Sequence, residues 1–338
     1  MINFQYARAN DIAEAVSLID RNPNAKFIAG GTNLIDLMKM DVERPTMVID
    51  ITRLPLKQVE HLPDGGLRVG ALVRNTDLAY HPLVERHYPV LGSAIMAGAS
   101  QQLRNMASTS GNLLQRARCH YFYDTATACN KREPGSGCSA IGGHNRMNAI
   151  IGTSDACIAV HPSDMCVALA ILEAKVHVRS VSGDRVIAFA DFHRLPGETP
   201  QRDTNLNAGE IITSVELPRQ GFAKNYTYLK IRDRLSYAFA LVSIAVGLEL
   251  EGETIKEGRF ALGGVAHKPW REQKAEAALR GRPANAATFA DAADVLLRDA
   301  KGYGHNTFKI ELARRGIVRA LMQAARGTPQ SQSSKKVI

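Results

Sequence analysis

Cys119, Cys129, Cys138, Cys157 and Cys166 are the only cysteines in a chain of 338 residues, and they crowd into its middle third. Crowded thiols point to a shared role, in which they bridge to one another, bind zinc or hold an iron–sulfur cluster. A large chain buries a core of its own and does not need disulfide staples. Zinc sites usually include two cysteines only a few residues apart, whereas the spacing here is Cys-x9-Cys-x8-Cys-x18-Cys. Wide spacing on loop-like sequence, with Gly135, Gly137, Gly142 and Gly143 among the thiols, suits four thiolates wrapped around a larger object. A four-iron cluster is such an object and takes four cysteines. Cys119, Cys129, Cys138 and Cys157 are therefore the candidate ligands, with zinc and independently buried thiols left open. Cys166 stands apart. In HPSDMCVALAIL, Ser163 is placed to cap a helix whose Cys166, Leu169 and Ala170 share a buried face. His120, His144 and His161 read as surface or hydrogen-bonded residues, not as ligands.

A second centre is suggested by KFIAGGTNLIDLMK. Residues 26–29 read as a strand and Gly30-Gly31 as a sharp turn. Thr32 or Asn33 then caps a helix whose Leu34, Leu37 and Met38 share one face. The glycines leave backbone N–H groups exposed at a helix start, which is a seat for phosphate. The pattern is not the G-x-G-x-x-G of a dinucleotide-binding Rossmann fold. Further on, QQLRNMASTSGNLLQ offers Ser108, Thr109, Ser110, Gly111 and Asn112, small polar residues where main chain can press against a ligand. Two such loops beside a cysteine cluster suggest a cofactor with an extended pyrophosphate.

The elements that must position these loops fall into an α+β pattern. Residues 1–54 read as a β-α-β lobe: Asp11-x-x-Glu14 resembles a capping box, Ile12, Val16 and Ile19 share a helix face, and strands follow near 26–29 and 47–51. A second lobe spans 55–218, with GLRVGALV as a strand and KVHVRSVSGDRVIAF as a hairpin turning at Ser182-Gly183-Asp184. The polar stretch PGETPQRDTNLNAGE reads as a loop against a ligand or partner. A third domain, 222–325, starts with strands near 226–231 and 239–250 and ends in a helix bearing Ile310, Ala313, Ile317 and Leu321. Residues 326–338 read as a polar, basic, disordered tail.

Bulk composition narrows the field. Lys and Arg number 42 against 33 Asp and Glu, a net charge of +9 that favours anionic ligands or an acidic partner surface. The basic residues are dispersed and no nucleic-acid motif accompanies them. No apolar run approaches the roughly 20 residues of a membrane span. MINFQYARANDIAEAV lacks the pattern of a secretory signal, so on its own the chain is expected in the cytoplasm.

IAGGTNL, VGALVRNTDLAYHPLV, QLRNMASTSGNLLQ, YLKIRDRLSYAFALVSIAV and ALGGVAHKPWR occur in the order found in the FAD-binding subunits of molybdenum hydroxylases, a group that includes xanthine dehydrogenase, carbon monoxide dehydrogenase and aldehyde oxidoreductases. The resemblance covers about residues 1–325. It implies a two-lobed FAD-binding fold of the PCMH/VAO type, followed by an α+β domain of the kind that ends carbon monoxide dehydrogenase flavoproteins. Residues 115–160 resemble the insertion that carries a [4Fe–4S] cluster in some members, such as the flavin subunit of 4-hydroxybenzoyl-CoA reductase; LLQRARCHYFYD matches its start, and Cys166 lies beyond it. Within the family the chain most resembles the flavin subunits of periplasmic bacterial aldehyde oxidoreductases.

Carried over by motif, the resemblance places the FAD pyrophosphate along Lys26, Phe27, Ile28, Ala29, Gly30, Gly31, Thr32, Asn33 and Leu34, with the Gly30 and Gly31 amides central. Ser108, Thr109, Ser110, Gly111 and Asn112 form a second clamp, with Ser110 standing where the family often has glycine. Asp124 matches an acidic residue on the adenosine side. Asp164 is a second acidic candidate, alongside a local role as a carboxylate at a helix start. Ile211 or Ile212 contributes a backbone contact, and Lys230 lies near the flavin, where a cation stabilises its reduced, anionic form. FAD would lie between the first two lobes, with the third closing over the ring.

The function so implied is electron transfer. A partner subunit with a molybdenum cofactor oxidises an aldehyde, a partner with [2Fe–2S] centres relays the electrons, and FAD here passes them to an external acceptor. No acid, base or nucleophile is assigned to this chain. Export to the periplasm on a partner's twin-arginine signal follows from the resemblance. The rival readings are a self-contained NAD(P)H flavin dehydrogenase, for which no second dinucleotide fingerprint appears, and a zinc-stabilised scaffold that recruits partners.

Overall fold

The computed structural model of the chain describes residues 1–333. The first lobe comprises β1 (Gln5–Arg8), α1 (Ile12–Arg21), β2 (Ala25–Ile28), α2 (Leu34–Lys39) and β3 (Met47–Asp50). Its strands form a parallel sheet in the order β1-β3-β2, so β1 adds to the expected β-α-β unit. α1 begins as its sequence requires: Asp11 Oδ1 accepts from the Glu14 N–H at 2.7 Å, and Glu14 Oε2 reaches back to the Asn10 N–H at 2.7 Å. Val16, Ile12 and Ile19 then pack on Ile49 and Leu54.

The second lobe is an antiparallel sheet of β4 (Val59–His61), β5 (Leu67–Gly70), β6 (Lys175–Ser180), β7 (Gly183–Ala188) and β8 (Ile211–Leu217), in the order β4-β5-β8-β6-β7. The helices Pro89–Ala97 and Asp164–Ile171 close its core. Ser163 caps the latter as expected, its Oγ accepting from the Cys166 N–H at 3.1 Å. That helix is enclosed between the helix Pro89–Ala97 and the sheet of the third domain, so it is buried nearly all round instead of along one stripe, and Ala170 is its half-exposed residue. The hairpin turn differs from expectation. Ser180 pairs with Gly183, which leaves Val181 and Ser182 as the loop and puts Asp184 in the strand beside Arg179. The positive φ that closes the turn falls on Gly183, at +116°.

The third domain holds β9 (Asn225–Ile231), β10 (Val242–Glu251) and β11 (Thr254–Gly263), antiparallel in the order β11-β10-β9. β11 escaped the sequence reading because Lys256, Glu257 and Arg259 mask its apolar half. The helix Phe308–Ala325 buries Ala313, Ile317 and Leu321 against this sheet, as their spacing predicts. The tail does not hang free up to residue 333. The Gln330 N–H donates to Thr227 Oγ1 at 2.9 Å and Gln332 Nε2 to the Tyr228 carbonyl at 3.0 Å, so backbone and side-chain groups of β9 hold it. Residues 334–338, which carry its basic end, lie outside the described residues.

Candidate functional site

A cleft of about 610 Å³ opens between the first two lobes, within the size range of cofactor sites. All nine residues from Lys26 to Leu34 line it, together with Ser108, Ser110, Gly111, Ile211 and Ile212. β2 delivers the first segment, and Gly31, at φ +71°, turns the chain into α2. Gly30 is packed so closely on the facing loop that a Cβ there would sit 1.9 Å from the Met106 carbonyl oxygen. That approach holds the two loops face to face. Asn33 does not cap α2; its Oδ1 accepts from the Arg116 N–H at 2.8 Å, tying the loop to the cysteine-bearing segment. Residues 108–112 form the N-terminal end of a short helix, Thr109–Leu113, capped by Ser108, whose Oγ accepts from the Gly111 N–H at 3.2 Å. Thr109 and Asn112 do not reach the cleft. Thr109 Oγ1 donates to the Val73 carbonyl at 2.9 Å, and Asn112 Nδ2 donates to Asn75 Oδ1 at 2.7 Å.

Long-range packing adds residues the sequence reading missed. The expected 196–210 loop supplies Gln201, Arg202, Asp203 and Thr204, and the cysteine segment supplies Arg116. Arg116 pairs with Glu43 and Asp203. Burial would raise the Asp203 carboxyl, but Lys131 and Arg116 beside it hold it down at about 2. Asn33 Nδ2, Arg116 Nη2 and Gln201 Oε1 are buried polar atoms without partners around this cleft. Main-chain amides, a guanidinium and unpaired amide groups together suit a phosphate-bearing ligand with polar appendages, and FAD is one.

His161 and His193 form the floor, their ring centroids 4.2 Å apart and each ring bonded through Nε2 to the Leu113 carbonyl. Burial pushes both down, His193 to about 4, and pushes the nearby His267 to about 3. These folded values lie below the unfolded value of roughly 6.5, so the unfolded chain takes up protons first as pH falls. Their contribution is whole above that value and is lost on acidification toward 4 and 3. Taking the protein from about pH 7 to about pH 5 is expected to cost about 2 kcal/mol for each of His193 and His267. The readout is a lowered thermal midpoint; one that holds steady would contradict the burial of neutral rings.

Asp124 lies away from the cleft and is exposed, its Oδ1 accepting from the Ala126 N–H at 3.0 Å in a turn. It belongs to the cysteine-bearing segment of residues 115–160 and sits there in a turn. Asp164 and Lys230 meet elsewhere. Lys230 Nζ donates to Asp164 Oδ2 at 2.7 Å and to the Ala97 carbonyl at 3.1 Å, while the Tyr228 hydroxyl donates to Asp164 Oδ1 at 2.6 Å. Asp164 lines a second cavity of about 150 Å³, with Cys119, Asn148, Ser163 and Phe239. Ser163 Oγ donates to Asn112 Oδ1 at 2.5 Å, so the second clamp and this cavity share a wall.

The four candidate ligands converge. Cys129 and Cys138 face each other across a bridge, Cys119 packs with both Cys129 and Cys157, and the Cys157 thiol is hydrogen-bonded to Cys138. That bond lowers Cys138 and raises Cys157. Backbone hydrogen bonding from Ala140, Ile141 and Ile158 also holds Cys138 low. Burial pushes Cys119 up, against Asn148 Nδ2, which donates to its Sγ at 3.5 Å. All are free thiols, and Cys166 lies apart beside His161 and His193.

Residues 2–220 match the family model described as the FAD binding domain in molybdopterin dehydrogenase, and residues 226–324 match the CO dehydrogenase flavoprotein C-terminal domain. The aldehyde oxidoreductase FAD-binding subunit PaoB of Escherichia coli is 52% identical over 95% of this chain and 98% of its own. The glyceraldehyde dehydrogenase medium chain of Sulfolobus acidocaldarius is 28% identical over 83% of each. Among solved structures, carbon monoxide dehydrogenase from Hydrogenophaga pseudoflava superposes with a TM-score of 0.75 over 97% of this chain and 99% of that one; at 24% identity this likeness speaks for the fold. The chain thus belongs to the FAD-binding subunits of the molybdenum hydroxylases, a family of oxidoreductases.

Proposed function

We propose that this chain is the electron-transfer subunit of a molybdenum-dependent aldehyde oxidoreductase with several subunits. The overall reaction, aldehyde plus water to carboxylic acid with two protons and two electrons, takes place on a partner that carries a molybdenum cofactor. FAD, when bound here, supplies the step between one-electron [2Fe–2S] donors of a second partner and an external acceptor. The observation that carries this reading is the inter-lobe cleft, where two glycine-bearing loops and Arg116 face each other.

This chain's residues bind and orient. The amides around Gly30 and Gly31, with the Ser108–Gly111 turn, hold the diphosphate. Lys230 is held by the Ala97 carbonyl and by Asp164, the residue that lines the second cavity, and from behind that carboxylate its ammonium would favour negative charge on a reduced ring. We assign Cys119, Cys129, Cys138 and Cys157 to a [4Fe–4S] cluster. What favours a cluster over zinc is their spacing along the chain, which lacks the close cysteine pair that zinc sites usually include. When present, the cluster would supply one-electron transfer, and a hydrogen bond to its sulfurs, such as that from Asn148 to Cys119, would favour its reduced form. The complex resides in the periplasm, exported with a partner that bears the signal; fractionating cells whose partner lacks that signal tests this, and an unchanged periplasmic pool would reject it.

The purified complex should show flavin bands over a broad iron–sulfur shoulder, bleached by aldehyde under anaerobic conditions and, in this subunit alone, by dithionite. A colourless subunit would end the reading, and flavin without iron would remove the cluster from it.

A further inference from the structure

A buried lysine two positions after Cys129 links the cysteine loops to the cleft. Lys131 is 2% exposed, and its Nζ donates to the Pro200 carbonyl at 2.7 Å and to the Asp203 carboxylate. Asp203 accepts on its other oxygen from Arg116 Nε at 2.8 Å; Arg116 pairs with Glu43, and Glu43 reaches Lys26 at 3.6 Å. The Arg116 guanidinium also lies 4.9 Å from the centre of the Phe122 ring, which packs on Cys129 and on Leu37 of α2. Asp203, Arg116, Glu43 and Lys26 line the cleft; Lys131 does not. It is the buried end of the chain of charges, and it belongs to the cysteine loop.

Exposed ion pairs contribute little, but a buried carboxylate that loses one of two cationic partners is left partly uncompensated. Asp203 would then pull Arg116 out of place or let the loop lift.

We infer that Lys131 is a positioning residue for FAD, pinning the 196–210 loop and Arg116 over the cleft, and that through it the cysteine loop and the dinucleotide bind cooperatively. This rests on the FAD and cluster assignments above. Because coupling between sites is reciprocal, an ordered cysteine loop tightens FAD and bound FAD protects the cluster.

The test titrates FAD into the full chain, following flavin fluorescence, for wild type and Lys131→Met. The variant should bind FAD about tenfold more weakly with native iron content and far-UV spectrum. Adding Asp203→Leu should restore thermal stability by removing the unpaired charge, but not FAD affinity; a purely structural lysine would recover both. Unchanged affinity in folded Lys131→Met overturns the inference. If that variant does not fold, wild type stripped of iron by a chelator decides: affinity should fall by a similar factor, and an unchanged value overturns the coupling. A wild type that binds FAD but holds no iron would cancel the cluster assignment alone, and the Lys131→Met comparison would still decide the role of the lysine.

Discussion

With Gly30 replaced by alanine, the protein is expected to emerge from purification folded and almost free of flavin. The added Cβ would lie 1.9 Å from the Met106 oxygen and 2.6 Å from its carbonyl carbon, and both are backbone atoms that no rotamer change can move. Room is made only by backing the 26–34 segment away from the 106–111 segment. That movement costs about 1–3 kcal/mol and spreads the amides that must converge on one diphosphate. A drop in FAD affinity of about a hundredfold, equivalent to about 3 kcal/mol, is the outcome to look for by flavin titration. Gly142 is the control, since a Cβ there meets nothing within 4 Å and no positive φ is needed. If Gly30→Ala bound FAD as tightly as Gly142→Ala, the cleft would not be the dinucleotide site.

Cys129→Ser should strip the protein of iron. Cys129 is 7% exposed, faces Cys138 across its bridge and packs against Cys119 and Phe122, so it is central to the four sulfurs. A serine hydroxyl is a hard, protonated donor where iron needs thiolate, and iron content should fall from about four per chain to near zero. FAD should still saturate the variant, at the lower affinity that the Lys131 linkage requires. Cys166→Ala gives the contrast. It sits in the helix Asp164–Ile171, wholly buried, with its thiol pushed up to about 12 by burial, and its loss should lower the thermal midpoint and leave iron untouched. Full iron in Cys129→Ser would refute the ligand set.

Several features were legible because they are local. The capping pattern at Asp11 and Glu14 depends on residues a single turn apart, and so does the Ser163 cap. The turn at Gly31 depends on one residue's freedom to take a positive φ. The helix Phe308–Ala325 followed from its own periodicity. Misreadings came where local rules compete. Ser182, Gly183 and Asp184 are all turn residues, and only the pairing of β6 with β7 decides that Val181 and Ser182 make the loop. Polar residues in the tail suggested disorder, but as far as residue 333 Thr227 and Tyr228 of β9 supply partners that hold it.

Which loops bear glycine, which segment bears the thiols and the order in which both occur could be read from the chain alone, because those properties belong to residue types and short spacings. Who faces whom was settled by packing in three dimensions. It set Arg116 against Asp203 and Lys131 against the same carboxylate, seated His161 on His193, moved Asp164 to Lys230 and left Asp124 outside. These partners lie tens of residues apart, and a charge or an imidazole carries no periodicity that names its distant mate. The choice falls to whichever packing buries the apolar faces of all three sheets at once, and charges brought inside by that packing must then find one another.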